Sequence, residues 1–239
     1  YTNAANLSLP APGESGSLSA NKNIVIDTSD PVIVITATNV SNENIPSTSL
    51  TNDTPLNLTI TASEPISGFD QSDIAVSGSA VLSEFSATSS TIFTAKLTPN
   101  ADEKLTINIP ENAAKDVAGN ASSAANEFEL TYDGTAPAVT IRALNFAGNA
   151  IASGDTTSDD SLKLIFSSTE KFFDFTLNDV TANNGILRDF QNVNDTLFTA
   201  TYVPSDVGDN TIFVDQNSYS DLAGNGNIKS SPFIAHPAL

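Results

Sequence analysis

The sequence predicts an all-β protein made of two tandem Greek-key β-sandwiches. Three observations carry that prediction: short runs in which apolar and polar residues alternate, turn formers spaced between those runs, and a duplication of the whole pattern within 239 residues. At roughly 100–150 residues per domain, a chain of this length has room for two units, each with its own core.

The alternation is clearest at Val32 and Val34, at Leu56, Leu58 and Ile60, at Phe93, Ala95 and Leu97, at Leu105, Ile107 and Ile109, and at Phe128, Leu130 and Tyr132. A period of two over four to eight residues puts one face of a strand in a core and the other in water. Turn formers punctuate the runs, as in PNADEK at 99–104 and AGNASS at 118–123, where Pro, Asn, Asp and Gly suit reversals of the backbone. No window of similar length sustains a helical period. About seven strands in roughly 100 residues is the sequence signature of two sheets sharing one core.

The duplication sets the boundaries. Residues 27–58 align without a gap to 133–164, an offset of 133 − 27 = 106, with Pro31 facing Pro137, Ile35 facing Ile141, Asn39 facing Asn145 and Asp53 facing Asp159. The same offset carries LTITASEP at 58–65 onto LIFSSTEK at 164–171, so Glu64 faces Glu170, and it pairs Asp73 with Asp179. After a one-residue deletion the offset is 105: residues 84–99 align to 189–204, Phe85 meets Phe190, Phe93 meets Phe198, and KDVAGN at 115–120 meets SDLAGN at 220–225. Preserved order from end to end marks a true repeat. The units are therefore 27–132 and 133–239. Residues 1–26 precede them, and NKNIVID at 21–27 occupies the place that EFELTYD at 127–133 holds at the close of the first unit. This reads as the last strand of a preceding repeat, one that packs on a sheet edge, pairs with another subunit by strand addition, or stays mobile. Tyr1 is neither an initiator Met nor the start of a signal peptide, so the chain is expected to come from something longer.

Composition narrows the function. Nine Lys plus Arg against 28 Asp plus Glu gives a net charge of −19. That field repels phosphate backbones and anionic lipid and attracts divalent cations. No nucleic acid is expected as partner, and no apolar run is long enough for membrane insertion. Without cysteine and with a single histidine, there are no disulfides and no soft-ligand cluster for zinc or iron–sulfur chemistry. His236 is the sole imidazole and lies four residues from the end in a strand expected to fray, so a nucleophile–base pair has nothing to build on. A glycosidase cleft wants aromatic lining, and the chain has no Trp and four Tyr. Phe85, Phe93, Phe190 and Phe198 are expected in the cores. Phe172 and Phe173 replace Ile66 and Ser67, which leaves one aromatic free for exposure and partner contact.

Several of these motifs together resemble a known family. The linkers IDTSDP at 26–31 and YDGTAP at 132–137, SEP followed by a GFDQSD turn within 63–73, and the D-x-A-G-N loops are similar to the bacterial Ig-like repeats strung in tandem in large surface adhesins and biofilm-associated proteins. The second unit departs from the pattern, with TEK at 169–171 in place of SEP and a weaker closing strand around 233–239. Residues 3–27 look like the tail of a related, longer repeat class. The resemblance implies an extracellular, cell-surface role in extending or presenting adhesive parts, with calcium between domains and no catalysis.

In an immunoglobulin-like sandwich the second-to-third strand loop and the last hairpin loop lie at the end where the first strand begins. That places Asp27, Glu64, Asp116 and Asn120 together at the start of the first unit, and Asp133, Glu170, Asp221 and Asn225 at the start of the second. Calcium takes six to eight oxygen ligands from such loops, with backbone carbonyls and water filling the shell. The competing reading is that Asp-x-Ala-Gly-Asn is only a turn, Asp and Asn capping their own backbone. Asp30, Asp73 and Asp179 rank second as ligands, and Asp73 and Asp179 suit turn caps better. The functional expectation is a calcium-stiffened stalk whose partners are neighbouring repeats, identical subunits or a host or cell-surface receptor. The alternatives are a filament or sheath subunit assembled by strand addition through residues 1–26, and a glycan- or protein-binding module.

Overall fold

The computed structural model describes residues 10–21, 26–205 and 208–238. Among these, the first unit comprises β1 (Ile33–Thr38), β2 (Asn44–Ile45), β3 (Ser49–Thr51), β4 (Leu56–Ala62), β5 (Ile66–Ser67), β6 (Ala75–Val76), β7 (Val81–Ala87), β8 (Ile92–Thr98), β9 (Glu103–Asn108), β10 (Lys115–Asp116) and β11 (Phe128–Tyr132). The second comprises β12 (Val139–Leu144), β13 (Ala150–Ile151), β14 (Thr156–Thr157), β15 (Leu162–Ser168), β16 (Val180–Ala182), β17 (Gly185–Asn194), β18 (Leu197–Pro204), β19 (Asn210–Val214) and β20 (Phe233–Pro237). The only α-helical segment described is the single turn Leu18–Asn21.

Each unit is a sandwich of two sheets. In the first, β2-β1-β4-β8-β7 faces β3-β11-β9-β6; in the second, β13-β12-β15-β18-β17 faces β14-β20-β19-β16. The first strand pairs antiparallel with β4, and the chain then crosses so that β3 runs parallel to β11 in the opposite sheet. The crossover is built by local chemistry. Asn39 Oδ1 accepts the Ser41 and Glu43 N–H groups at 3.0 and 2.9 Å, and Asn42 takes φ 64° to close the turn. Its counterpart Asn145 accepts the Asn149 N–H at 2.9 Å.

The alternation read from sequence is the burial pattern of the strands. Leu56, Leu58, Ile60, Leu105, Ile107 and Ile109 are completely buried while the residues between them face outward. At roughly 1.5–3 kcal/mol for each large aliphatic side chain removed from water, this face outweighs the weak intrinsic preference of Thr, Asn and Ser-rich runs for any one conformation. Phe69, Phe85 and Phe93 interlock in the first core. In the second, Phe172 turns inward to stack on Phe175 at 4.5 Å, while Phe173 stays 64% exposed.

The two cores differ by compensated and uncompensated swaps. Leu97 and Ala80 of the first unit become Tyr202 and Gly185 in the second. Tyr202 is fully buried, and its hydroxyl donates to the Asn183 carbonyl at 2.7 Å. Gly185 makes the room: a Cβ there would lie 2.5 Å from the tyrosine ring. Leu105 becomes Asn210, which is fully buried with neither amide atom hydrogen-bonded. Both outer edge strands, β7 and β17, carry a bulge at the same place, where Glu84 and Asp189 each sit at φ 53°. A bulge with a charged residue discourages pairing with a second sheet.

Three expectations are amended. The described strands exceed seven per unit, because two- and three-residue pieces such as β2, β5 and β10 pair beside the main ladders. The closing strand of the second unit is ordered: β20 pairs with both β19 and β14, and Phe233 and Ala235 are buried. His236 accordingly sits in a paired strand, and its Nδ1 lies 3.0 Å from Asp209 Oδ1. Of the strand expected at 21–27, residues 22–25 lie outside the described residues, Asn21 ends the helical turn, and Ile26 and Asp27 are not in a strand; the strand donation expected of residues 1–26 falls in part on residues 1–9 and 22–25, outside the described residues.

Candidate cation sites at the leading end of each unit

One short ladder brings the loops together at the leading end of the first unit. Glu64 follows β4, and β10 pairs antiparallel with β5 so that Asp116 lies opposite Ile66. The linker is braced to both loops. Ser63 N–H donates to the Val32 carbonyl at 2.9 Å while its hydroxyl accepts the Val32 N–H at 3.0 Å, and Ser123 N–H donates to the Pro31 carbonyl at 3.0 Å. In the second unit Thr169 makes the same two bonds with Ala138, each at 3.0 Å, and Ile228 N–H donates to the Pro137 carbonyl. Sequence reasoning passed over Ser63 and Thr169 because a hydroxyl in a strand-rich, Ser- and Thr-rich chain stands out from nothing. Their occurrence at one offset was the available signal.

The structure brings together the residues selected from sequence. One carboxylate oxygen from each of Asp27, Glu64 and Asp116 lies within 4.8 Å of the others, and Asp133, Glu170 and Asp221 form the same arrangement. Asp116 and Asp221 are buried, and the other four are half-buried. Second-rank Asp30 is exposed and outside the cluster. Asp73 and Asp179 are caps, accepting the Asp70 and Thr176 N–H groups at 2.8 and 2.6 Å.

The D-x-A-G-N loop serves as a turn as well as a cluster wall. Asp116 Oδ1 accepts the Gly119 and Asn120 N–H groups at 2.6 and 2.8 Å, and Gly119 takes φ 99°, a region open to glycine. Asn120 Nδ2 donates both to Asp116 Oδ2 at 2.8 Å and to the Asp27 carbonyl at 3.1 Å. Asn225 repeats this with Asp221 Oδ2 and the Asp133 carbonyl, each at 2.9 Å. In this arrangement both asparagines tie the linker to the turn through their NH₂ groups. The carboxylates, the linker carbonyls and Asn120 Oδ1 remain as oxygens for a cation, whereas Asn225 Oδ1 already accepts from Asn52 Nδ2.

Electrostatics single out the two glutamates. Burial first, then the Asp27 and Asp116 charges, push the Glu64 carboxyl above its ordinary range. Glu170 is pushed further, to about 7, by burial first and then by Asp133, Asp221 and Asp102, with a hydrogen bond shared with Asp221 also favouring its protonated form. Its Oε2 is enclosed without a hydrogen-bond partner. Asp116 moves the other way: burial raises it, but hydrogen bonds from Asn120, Gly119 and Ala118 outweigh burial and hold it below the usual range. The first cluster thus contains one carboxylate stabilised by its own turn and one whose charge lacks a counterion. The opposite pole of the first unit reaches the second cluster, where Asn52 Nδ2 donates to Asn225 Oδ1 at 3.1 Å.

Several solved structures align with much of the chain at low identity. InvD of Yersinia pseudotuberculosis is 12% identical with TM-score 0.36, the alignment covering 89% of this chain and 58% of that one. The C-terminal domain of the Streptococcus agalactiae AgI/II polypeptide BspA is 11% identical with TM-score 0.35, covering 85% and 99%. The D00–D0 domain of intimin is 11% identical with TM-score 0.36, covering 84% and 98%. The chain therefore spans just over half the length of the InvD chain it aligns with. No curated protein matches it in sequence. The profile of the bacterial Ig-like domain matches twice in succession, over residues 27–132 and 133–234, and by those two adjoining matches the chain belongs to the bacterial Ig-like domain family.

Proposed function

We propose that the chain is a non-enzymatic, extracellular structural or adhesive segment, a cell-surface stalk in which Ca2+ at the two carboxylate clusters stiffens the leading end of each unit. One observation carries this reading: in both repeats, three carboxylates from the linker and two separate loops converge within 4.8 Å at the same structural position. Three negative charges at that spacing repel, and a hard divalent cation with oxygen ligands converts the repulsion into a cross-link between linker and loops. Calcium suits an irregular site better than magnesium, which demands near-octahedral geometry. Asp27, Glu64 and Asp116 hold the first ion and Asp133, Glu170 and Asp221 the second. Asn120 and Asn225 fix the linker carbonyls beside them.

Tandem sandwiches with bulged, charged edges suit a chain of neighbouring repeats or a receptor-presenting rod better than a catalyst. Among the described residues no helix is long and apolar enough to cross a membrane. A thermal melt in chelator and in millimolar calcium tests the ion. At a concentration about a hundred times Kd, mass action stabilises the folded state by roughly 2.7 kcal/mol, a shift of several degrees. Superimposable melts in the two conditions overturn the reading.

A further inference from the structure

The linker between the units is gripped by the first unit with no ion involved. Asp102, in the turn between β8 and β9, uses both carboxylate oxygens on consecutive linker residues: Oδ1 accepts the Gly134 N–H at 2.6 Å, and Oδ2 accepts the Thr135 hydroxyl. Hydrogen bonds to an ionised acceptor are shorter and stronger than neutral ones, and two on one carboxylate fix direction as well as distance. Gly134 packs against the Tyr132 side chain, since a Cβ there would come 2.6 Å from the Tyr132 hydroxyl oxygen. Thr135 N–H in turn donates to Asp133 Oδ1 at 3.1 Å, so the grip reaches the residue that opens the second cluster. Asn52 adds a second point of contact, on the D-x-A-G-N turn of the second unit through Asn225 Oδ1.

The placement of Asp102 is electrostatically unfavourable by itself. It puts a fourth carboxylate near Asp133, Glu170 and Asp221 and adds to the repulsion on Glu170. Its two linker hydrogen bonds hold its own carboxyl below the ordinary range. The residues one repeat later at the Asn52 and Asp102 positions are Ser158 and Val207. A valine side chain has no acceptor, so the second unit does not repeat the Asp102 carboxylate at this position.

We propose that Asp102 is an interdomain latch: by clamping Gly134 and Thr135 it sets the angle between the two units whether or not a cation is bound. This deepens the stalk reading and rests on it for its biological use, but it assigns the stiffness of the joint to protein contacts.

The test uses the full chain, which has no native cysteine. Spin labels at Thr61→Cys and Thr140→Cys, exposed positions on the two units, report the interdomain distance by double electron–electron resonance. In chelator the parent chain is expected to give one narrow distance peak. Asp102→Ala is expected to lose that peak, and Thr135→Val to broaden it, while neither unit loses melting temperature because the changes lie in exposed loops. A parent chain that is broad in chelator and narrows only in calcium overturns the latch and leaves the calcium reading standing. A narrow peak that survives Asp102→Ala in chelator also overturns it. Narrow, Asp102-dependent distances together with melts unaffected by calcium support the latch and remove the ion.

Discussion

Replacing Glu170 by glutamine is expected to stabilise the second unit in chelator and to destabilise it, relative to the parent, in calcium. The Glu170 carboxyl moves from 4.5 to about 7 on folding, a rise of 7 − 4.5 = 2.5 pH units. At about 1.4 kcal/mol per unit this is roughly 3 kcal/mol, and solvent screening of a half-buried group reduces it to on the order of 1–2 kcal/mol. The sign follows from which state binds the proton more tightly. The folded state does, so its advantage is complete below about pH 4.5 and is lost as the pH rises through about 7. The parent's second unit is therefore expected to melt higher at pH 5 than at pH 8 in chelator. Glu170→Gln has no charge to lose and flattens that difference. At pH 8 in chelator the variant gains about 4–8 °C per kcal/mol for a domain near 100 residues. Saturating calcium reverses the ranking, because the parent then gains from an ion that the amide holds poorly. Scanning calorimetry at the two pH values, with and without calcium, reads all four comparisons. A variant that melts at or below the parent at pH 8 in chelator refutes the charge-repulsion account.

Asn210→Leu restores the residue found at Leu105 and removes two unsatisfied buried amide atoms; it is expected to stabilise the second unit by about 1–3 kcal/mol in denaturant titration, and a loss of stability would contradict the packing described. Gly185→Ala drives a Cβ into the buried Tyr202 ring and is expected to cost about 1–3 kcal/mol, with the double variant carrying Tyr202→Leu recovering much of it. Asp116→Ala removes the acceptor for three donors of its own turn and is expected to destabilise the first unit even in chelator by about 1–3 kcal/mol. Glu64→Gln, which removes a repelled charge and no turn bond, is expected to stabilise the first unit in chelator, the same direction as Glu170→Gln, and to weaken its calcium response. Equal behaviour of those two variants in chelator would mean that the turn and the cluster are not separable functions.

The sandwich was legible because its causes are local and repeated. Period-two burial at Leu56, Leu58 and Ile60, turn chemistry at Gly119 and Asn120, and a gapless match over 27–58 each state one part of the architecture, and none depends on a distant contact. The convergence of Asp27, Glu64 and Asp116 was also legible, since a Greek-key order fixes which loops share an end once the strands are counted. What misled was composition read by itself. The 233–239 segment looks weak as a strand, yet Phe233 and Ala235 are buried in a ladder whose partners in β19 and β14 lie 21–25 and 80 residues earlier in the chain. Asp102 left no trace in the repeat comparison, because its counterpart is Val207 and a feature present once cannot be seen by matching copies.

The sequence by itself determined the fold class, the two units and the ends at which their acidic loops would gather, since alternation, turns and duplication are properties of neighbouring residues and of a copied pattern. The tertiary structure decided the rest. It made Glu170 the strained carboxylate of its cluster and left Asn210 unsatisfied where Leu105 packs. It also closed Asp102 onto Gly134 and Thr135. Burial, field and hydrogen-bond reach all depend on atoms far apart along the chain, and only folding fixes the distances between them.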